Sequence, residues 1–192
     1  MTDAELRDFS LKHLHYELWM LLETARRLLL DDQGVHRDLV VKNAVVESFC
    51  IHARALAAFL YPERFNPRTR DVSATDYVTD TGKWQLARGE TPEILVVVRE
   101  RTGKEIAHLT TQRKEYGDPD EKWPTVEIVD ALLAASKLFV QHAVPERLAS
   151  SEADYIKGLQ RPMAKPEVEI YSVGSTEIIR MPGLRGPSSP SV

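Results

Sequence analysis

The stretch DLVVKNAVVESFCIHARALAAFLY, residues 38–61, decides the fold. Its pattern predicts a helix that must end before Pro62, because the residue before a proline is disfavoured in helical geometry. One side of this helix is largely apolar, and apolar residues also fill its flanks. Because a helix that is apolar nearly all round is typical of the centre of a domain, we expect it to be central. The opposite side carries Asn43, Glu47, Cys50, Arg54 and Tyr61.

Three further long helices are predicted around the central one. Apolar residues recur along residues 3–31 at the spacing of one buried stripe, and Thr2 with Glu5 fits a capping box at its start. Similar stripes predict helices over 92–113 and 125–144.

The third of these four helices contains a run that also suits a strand. Val96, Val97 and Val98 are β-branched, and β-branched residues are enriched in strands. A helix is favoured because the apolar pattern continues for about four turns, and because Thr91 and Pro92 suit the N-cap and first position of a helix.

The remaining segments carry weaker patterns. Residues 62–91 are predicted to connect two helices with little regular structure apart from a short helix over 74–78. A short fifth helix is expected over 152–160. Beyond Pro162 the chain is rich in proline, glycine and serine, with brief strands predicted at 168–170 and 176–180.

Together these patterns predict an all-α fold, a bundle of four main helices with a short fifth helix and an irregular C-terminal tail. The predicted division is a helical bundle domain over 1–145, a short helix within 146–162 and a tail over 163–192. The predicted core consists of Leu18, Leu22, Phe49, Leu56, Val98, Leu132 and Phe139.

Composition excludes several classes of protein. The 25 Lys and Arg residues against 29 Asp and Glu residues give a net charge of −4, which excludes a generally basic nucleic-acid-binding surface. A single cysteine, Cys50, excludes a disulfide scaffold and a Cys-rich zinc module. The charged N-terminus is unlike a signal peptide, and the apolar stretches are too short or interrupted to span a bilayer. We therefore expect a cytoplasmic protein without membrane association.

No cofactor or metal is predicted from the motifs. The chain has no glycine-rich phosphate loop and no H-E-x-x-H motif. His13 and His15 lie about 200° apart on a helix, so they cannot bind one metal ion from that helix.

One pair of residues fits a catalytic chemistry. Arg101 and His108 are seven residues apart, which places them within about 20° on one helix face. An arginine binds phosphate oxygens through a planar fork, and a histidine transfers protons near neutral pH. The pair would bind an RNA phosphate and activate the neighbouring 2′-hydroxyl group without a metal. Arg7 and His13 have a similar spacing but lie about 120° apart, and that angle disfavours them.

This pair resembles the R-x(4–6)-H signature of the HEPN superfamily. The resemblance implies a helical bundle, metal-independent cleavage of RNA, and a homodimer in which two such motifs form one active site. Residues 43–54 also resemble a segment of bacterial helical proteins of unassigned function.

The polar residues of the central helix have two interpretations. Asn43, Glu47 and Arg54 belong either to an ion-pair network that fixes helix packing or to the same cleft as Arg101 and His108. In that cleft Glu47 would orient Arg101, or Arg54 would contact the substrate. The rival to an RNA-cleaving or RNA-binding protein is a non-catalytic helical module that self-associates or binds a protein partner.

Overall fold

The computed structural model describes residues 1–31, 38–65, 71–107, 123–162, 169–173 and 176–180. The regular structure of these residues is helical up to residue 158, and this confirms the predicted all-α class. The chain separates into two units, Met1–Pro162 and Met163–Val192. Within the second unit, strand β1 (Glu169–Val173) pairs antiparallel with strand β2 (Thr176–Arg180).

The first helical run contains a change of pitch that the sequence pattern did not indicate. Helix α1 spans Asp3–Phe9, a π-helical turn covers Ser10–Leu14, and helix α2 spans His15–Asp31. The predicted capping box is confirmed, because the backbone N–H of Thr2 donates to the Glu5 carboxylate over 2.7 Å and the N–H of Glu5 donates to the Thr2 hydroxyl.

Helix α3 (Leu39–Leu60) is the central helix of the first unit, since it contacts α2, α6 (Glu93–Arg101) and α7 (Thr125–His142). The Asp38 carboxylate caps its start by accepting the N–H of Val40 over 2.9 Å. Burial is confined to one side, however. Several apolar residues on the other side of α3 face solvent.

The connection between α3 and α6 is more ordered than predicted. It contains helix α4 (Pro62–Phe65), a 3₁₀ turn over Ala74–Tyr77 and helix α5 (Thr81–Arg88). The prediction of little regular structure is wrong for α5, which lasts two turns and presents one large apolar side chain to the core. That side chain, Trp84, is completely buried.

The remaining helices lie close to their predicted positions. Pro92 rather than Thr91 occupies the N-cap of α6, whose 96–98 run is helical as predicted. A second π-helical turn, Thr102–Ala107, directly follows α6, and the predicted end of this helix at 113 lies outside the described residues. Helix α8, the short fifth helix of the prediction, spans Ser150–Gly158.

The predicted core is nearly correct. All its members are buried except Leu22, which is half-buried, while its neighbour Leu21 is fully buried. The centre of the core is aromatic. The ring of Phe139 meets the rings of Phe59 and Trp84 edge to face, with centroids 5.3 and 6.1 Å apart.

We expect Phe139→Ala to lower the free energy of unfolding by about 3–5 kcal/mol, because it removes an aromatic side chain and leaves a cavity. Urea unfolding measures this change. Leu86→Ala is the control, since Leu86 is 85% exposed and its truncation should change stability by less than about 0.5 kcal/mol. A loss below about 1 kcal/mol for Phe139→Ala would contradict the packing described for α7.

Candidate functional site

Arg101 ends helix α6 as a buried cation. The side chain is 6% exposed, and its guanidinium carbon lies 4.3 Å from the centre of the Trp123 ring. A guanidinium over an indole face is a favourable cation–π contact that strengthens when water is excluded. In this position Arg101 holds the end of α6 against the start of α7.

The proposed partner of Arg101 cannot be placed beside it. His108 lies outside the described residues, so the pairing of Arg101 with His108 stays a prediction. The π-helical turn over Thr102–Ala107 changes the rotation per residue between the two positions. The angle of about 20° that regular α-helical geometry gives therefore does not apply directly.

Arg54 of α3 lies beside this π-helical turn. A Cβ atom added to Gly103 would stand 3.8 Å from Nη1 of Arg54, an ordinary van der Waals distance, so the guanidinium lies next to this turn. The structure thus places Arg54 close to the segment that follows Arg101. It does not place Asn43 or Glu47 there, because both face solvent on α3.

The ion-pair network predicted for α3 is not found among the described residues. Neither Glu47 nor Arg54 has an ion-pair partner there, and Glu47 is exposed, so it needs none to offset burial. The solvent side of α3 instead forms a surface, here termed the α3 face, made of Val40, Ala44, Glu47, Ile51 and Ala55.

The α3 face is apolar apart from Glu47. Val40 is 77% exposed and Ile51 is 53% exposed. Two exposed aromatic residues of α2, Tyr16 and Trp19, extend the apolar surface sideways, with ring centroids 6.3 Å apart. The edge of Tyr16 meets the ring of His52, the residue after Ile51, at 5.5 Å.

A histidine–carboxylate pair joins α2 to α3 beneath this surface. Nδ1 of His52 donates to Oε2 of Glu17 over 2.7 Å, and His52 is buried. The sequence shows no ligand-like residue three or four positions after His52, and its partner lies 35 residues earlier in the chain. The pair fixes the rotation of α3 about its own axis, and so determines which residues face solvent.

A second histidine–carboxylate pair joins α2 to α8. Nδ1 of His15 donates to Oε2 of Glu152 over 2.8 Å, and the His15 ring lies 4.4 Å from that of Tyr155. Glu152 is 2% exposed, and its other oxygen is buried without a partner in the described chain. Burial raises the pKa of Glu152, while the hydrogen bond from His15 opposes that shift. Sequence analysis missed this pair, because its members are 137 residues apart.

Another buried cation lies at the end of α5. Arg88 stacks over the Tyr61 ring at 4.5 Å and forms an ion pair with Glu63. Its Nε and Nη1 atoms, like the indole N–H of Trp84, have no hydrogen-bond partner within the described residues. These donor atoms are sealed from solvent, and the guanidinium is held by the Tyr61 ring and Glu63, so Arg88 anchors α5.

The described part of the chain also contains a cavity of about 590 Å³ beside the N-terminus of α1. Its charged groups are already engaged. Asp3 accepts a hydrogen bond from Arg147 over 2.8 Å, and Asp76 accepts the backbone N–H of Ser73 over 2.8 Å. No nucleophile with a neighbouring base lies among the residues that line this cavity.

Two further properties of the described residues bear on function. Within the described residues, no cluster of three or more His, Cys, Asp or Glu side chains could bind a metal ion. Among those residues, α3 alone is long and apolar enough to cross a membrane, and 44% of that stretch is buried inside the fold. No protein family model, curated protein or solved structure matches the chain.

The buried pair at α8 predicts a dependence of stability on pH. Because the folded state raises the pKa of Glu152, its contribution to stability is present at low pH and is lost as pH rises through that pKa. Glu152→Gln does not ionise. We therefore expect the stability of the unchanged protein, relative to this variant, to fall as pH rises above about 4.3, the ordinary pKa of a glutamate.

Urea unfolding at several pH values measures this difference. Glu146→Gln is the matched control, since Glu146 is exposed and its substitution should give no comparable slope. An unchanged protein that gains stability over Glu152→Gln as pH rises would contradict the burial of an unsatisfied carboxylate at this position.

Proposed function

We propose that this chain is a self-associating helical module and that a second copy of the chain covers the α3 face. The observation that carries the proposal is the exposure of apolar residues along the solvent side of the central helix. Monomeric proteins seldom expose a contiguous apolar patch of this kind unless it binds something.

The shape of the α3 face suits packing against another helix. Its members recur at intervals of three or four residues, so they follow one line along a helix of 22 residues, about 33 Å long. Alanines at positions 44 and 55 leave room for a second helix to approach closely, and Val40 and Ile51 supply apolar area. Burying a side chain of that size stabilises an interface by about 1.5–3 kcal/mol.

The aromatic residues of α2 enlarge the same surface. Tyr16 and Trp19 lie to one side of the α3 face, through the contact between Tyr16 and His52. A stable dimer buries about 800 Å² on each copy, which is more than one helix face provides. Aromatic side chains are enriched in interfaces because they bury large areas and lose little conformational freedom.

We expect Ile51→Glu to abolish dimerisation while leaving the fold intact, because a charge would then lie in the centre of the apolar face without a partner. Light scattering coupled to size-exclusion chromatography measures the mass of the particle. Leu86→Glu is the matched control, since Leu86 is an exposed apolar residue of α5 and its charged variant should stay dimeric.

Two outcomes would overturn the proposal. One is a chain that remains monomeric at all accessible concentrations. The other is a monomer that floats with phospholipid vesicles and loses that property in Ile51→Glu, since the α3 face would then bind a lipid surface rather than a second copy.

Metal-independent RNA cleavage is the second candidate function, supported by the position of Arg54 beside the segment that follows Arg101. Because Arg101 is buried against Trp123, Arg54 is the member of this pair that solvent reaches. A phosphate would therefore bind first to Arg54.

If the chain cuts RNA, we expect cleavage to persist with excess chelator and to be lost in His108→Ala, because the histidine would transfer the proton. Arg101→Lys should also be inactive, since an ammonium group cannot replace the planar guanidinium fork. Arg7→Ala is the control and should cleave at the normal rate. Gel analysis of labelled RNA measures cleavage, and full activity in His108→Ala would contradict the assignment.

A further inference from the structure

We infer that two copies of the chain pair antiparallel along α3, with the two-fold axis beside Ile51 and with Glu47 of each copy forming an ion pair with the partner's Arg54. The inference rests on the proposed self-association and adds its register and its charge pairing. It follows from the spacing of two charged residues, the exposed Glu47 and the half-buried Arg54, neither of which has an ion-pair partner within the described residues.

The two charges do not pair with each other within one copy. Glu47 and Arg54 are seven residues apart, so they lie on the same side of α3 but about 10.5 Å apart along its axis. An ion pair needs its charged atoms within about 4 Å. Within the described residues, neither side chain has another charged partner.

A two-fold axis brings these charges together. In an antiparallel pair, a rotation about an axis midway between residues 47 and 54 places each Glu47 opposite the partner's Arg54. The two-fold axis is perpendicular to the plane that contains both helices. Rotation about it keeps each side chain on the same side of that plane, so both ion pairs lie on one flank of the interface. Ile51, which lies next to the midpoint, packs against the partner's Ile51.

The same antiparallel register also brings alanines of the two helices close together. It brings Ala44 within about 1.5 Å, along the helix axis, of the partner's Ala58, so that the helices meet through methyl groups on both sides of the central isoleucines. Contacts between small residues allow helix axes to approach toward the lower end of the usual 8–10 Å separation. When the helix axes are this close, the long side chains of Glu47 and Arg54 reach from one helix to the other.

A parallel pairing in register would be repulsive. It places Glu47 opposite the partner's Glu47 and Arg54 opposite the partner's Arg54, and like charges that face each other destabilise a contact. Charge therefore selects the antiparallel arrangement, while the apolar residues of the α3 face supply the stabilisation.

Charge reversal tests the pairing. We expect Glu47→Arg and Arg54→Glu, each alone, to raise the dissociation constant of the dimer by about tenfold, because each replaces two ion pairs by two repulsive contacts. The double variant should return to within about threefold of the unchanged protein. Glu90→Arg makes the same charge change at an exposed position outside α3 and should have no effect.

Crosslinking of introduced cysteines tests the direction of the helices. Ile51→Cys should form a disulfide-linked dimer on mild oxidation, whereas Ala44→Cys should not, because antiparallel helices carry the two copies of position 44 far apart. The unchanged chain is the control, since Cys50 is buried. The pair Ala44→Cys and Ala58→Cys in one chain should restore crosslinking.

The results separate this inference from the proposed function. A dimer that crosslinks through Ala44→Cys alone, or that the double charge reversal does not restore, overturns the register while self-association stands. A chain that sediments as a monomer at every concentration overturns both. Circular dichroism of each variant, with an unchanged helical spectrum, establishes that the fold is intact.

Discussion

The contact between α2 and α3 is the interaction on which the rest of the structure depends. Leu18, Leu21 and Ala25 of α2 are fully buried, as are Phe49 and Ala53 of α3. The hydrogen bond from His52 to Glu17 adds a directional constraint to this apolar contact, because it is satisfied at only one rotation of α3 about its axis. That rotation turns one side of α3 toward α6 and α7 and leaves the α3 face in solvent.

The positions of the long helices could be predicted from the sequence because each buries one stripe with a period of 3.6 residues. The spacing of apolar residues does not reveal whether a helix with apolar residues on two sides packs against other helices on both of them. In α3, Val40 and Ile51 raise the apolar content of the sequence as much as buried residues do, although both face solvent. Coverage depends on the number of neighbouring helices, which is a property of the tertiary arrangement.

Short elements and distant pairs were missed for other reasons. Helix α5 has two turns and one buried anchor, Trp84, so it presents no repeating stripe that periodicity could detect. The hydrogen bonds of His15 and His52 join residues far apart in the chain, and no local pattern encodes such contacts. The sequence pattern pointed to Arg101 as a phosphate-binding residue, but its burial against Trp123 depends on where α7 begins, which no local pattern indicates.

The two candidate functions are connected by the geometry of α3. A two-fold axis beside Ile51 places both copies of Arg54 on the same flank of the paired helices, because the axis is perpendicular to their plane. Each Arg54 lies beside the π-helical turn that follows Arg101 in its own copy. In the proposed dimer these two turns therefore approach one surface from both copies. Because Glu47 of each copy neutralises the partner's Arg54, an RNA phosphate would have to displace that carboxylate to bind there. RNA binding at this surface would consequently weaken the ion pairs that specify the antiparallel register, so RNA affinity and dimer stability would be opposed rather than independent.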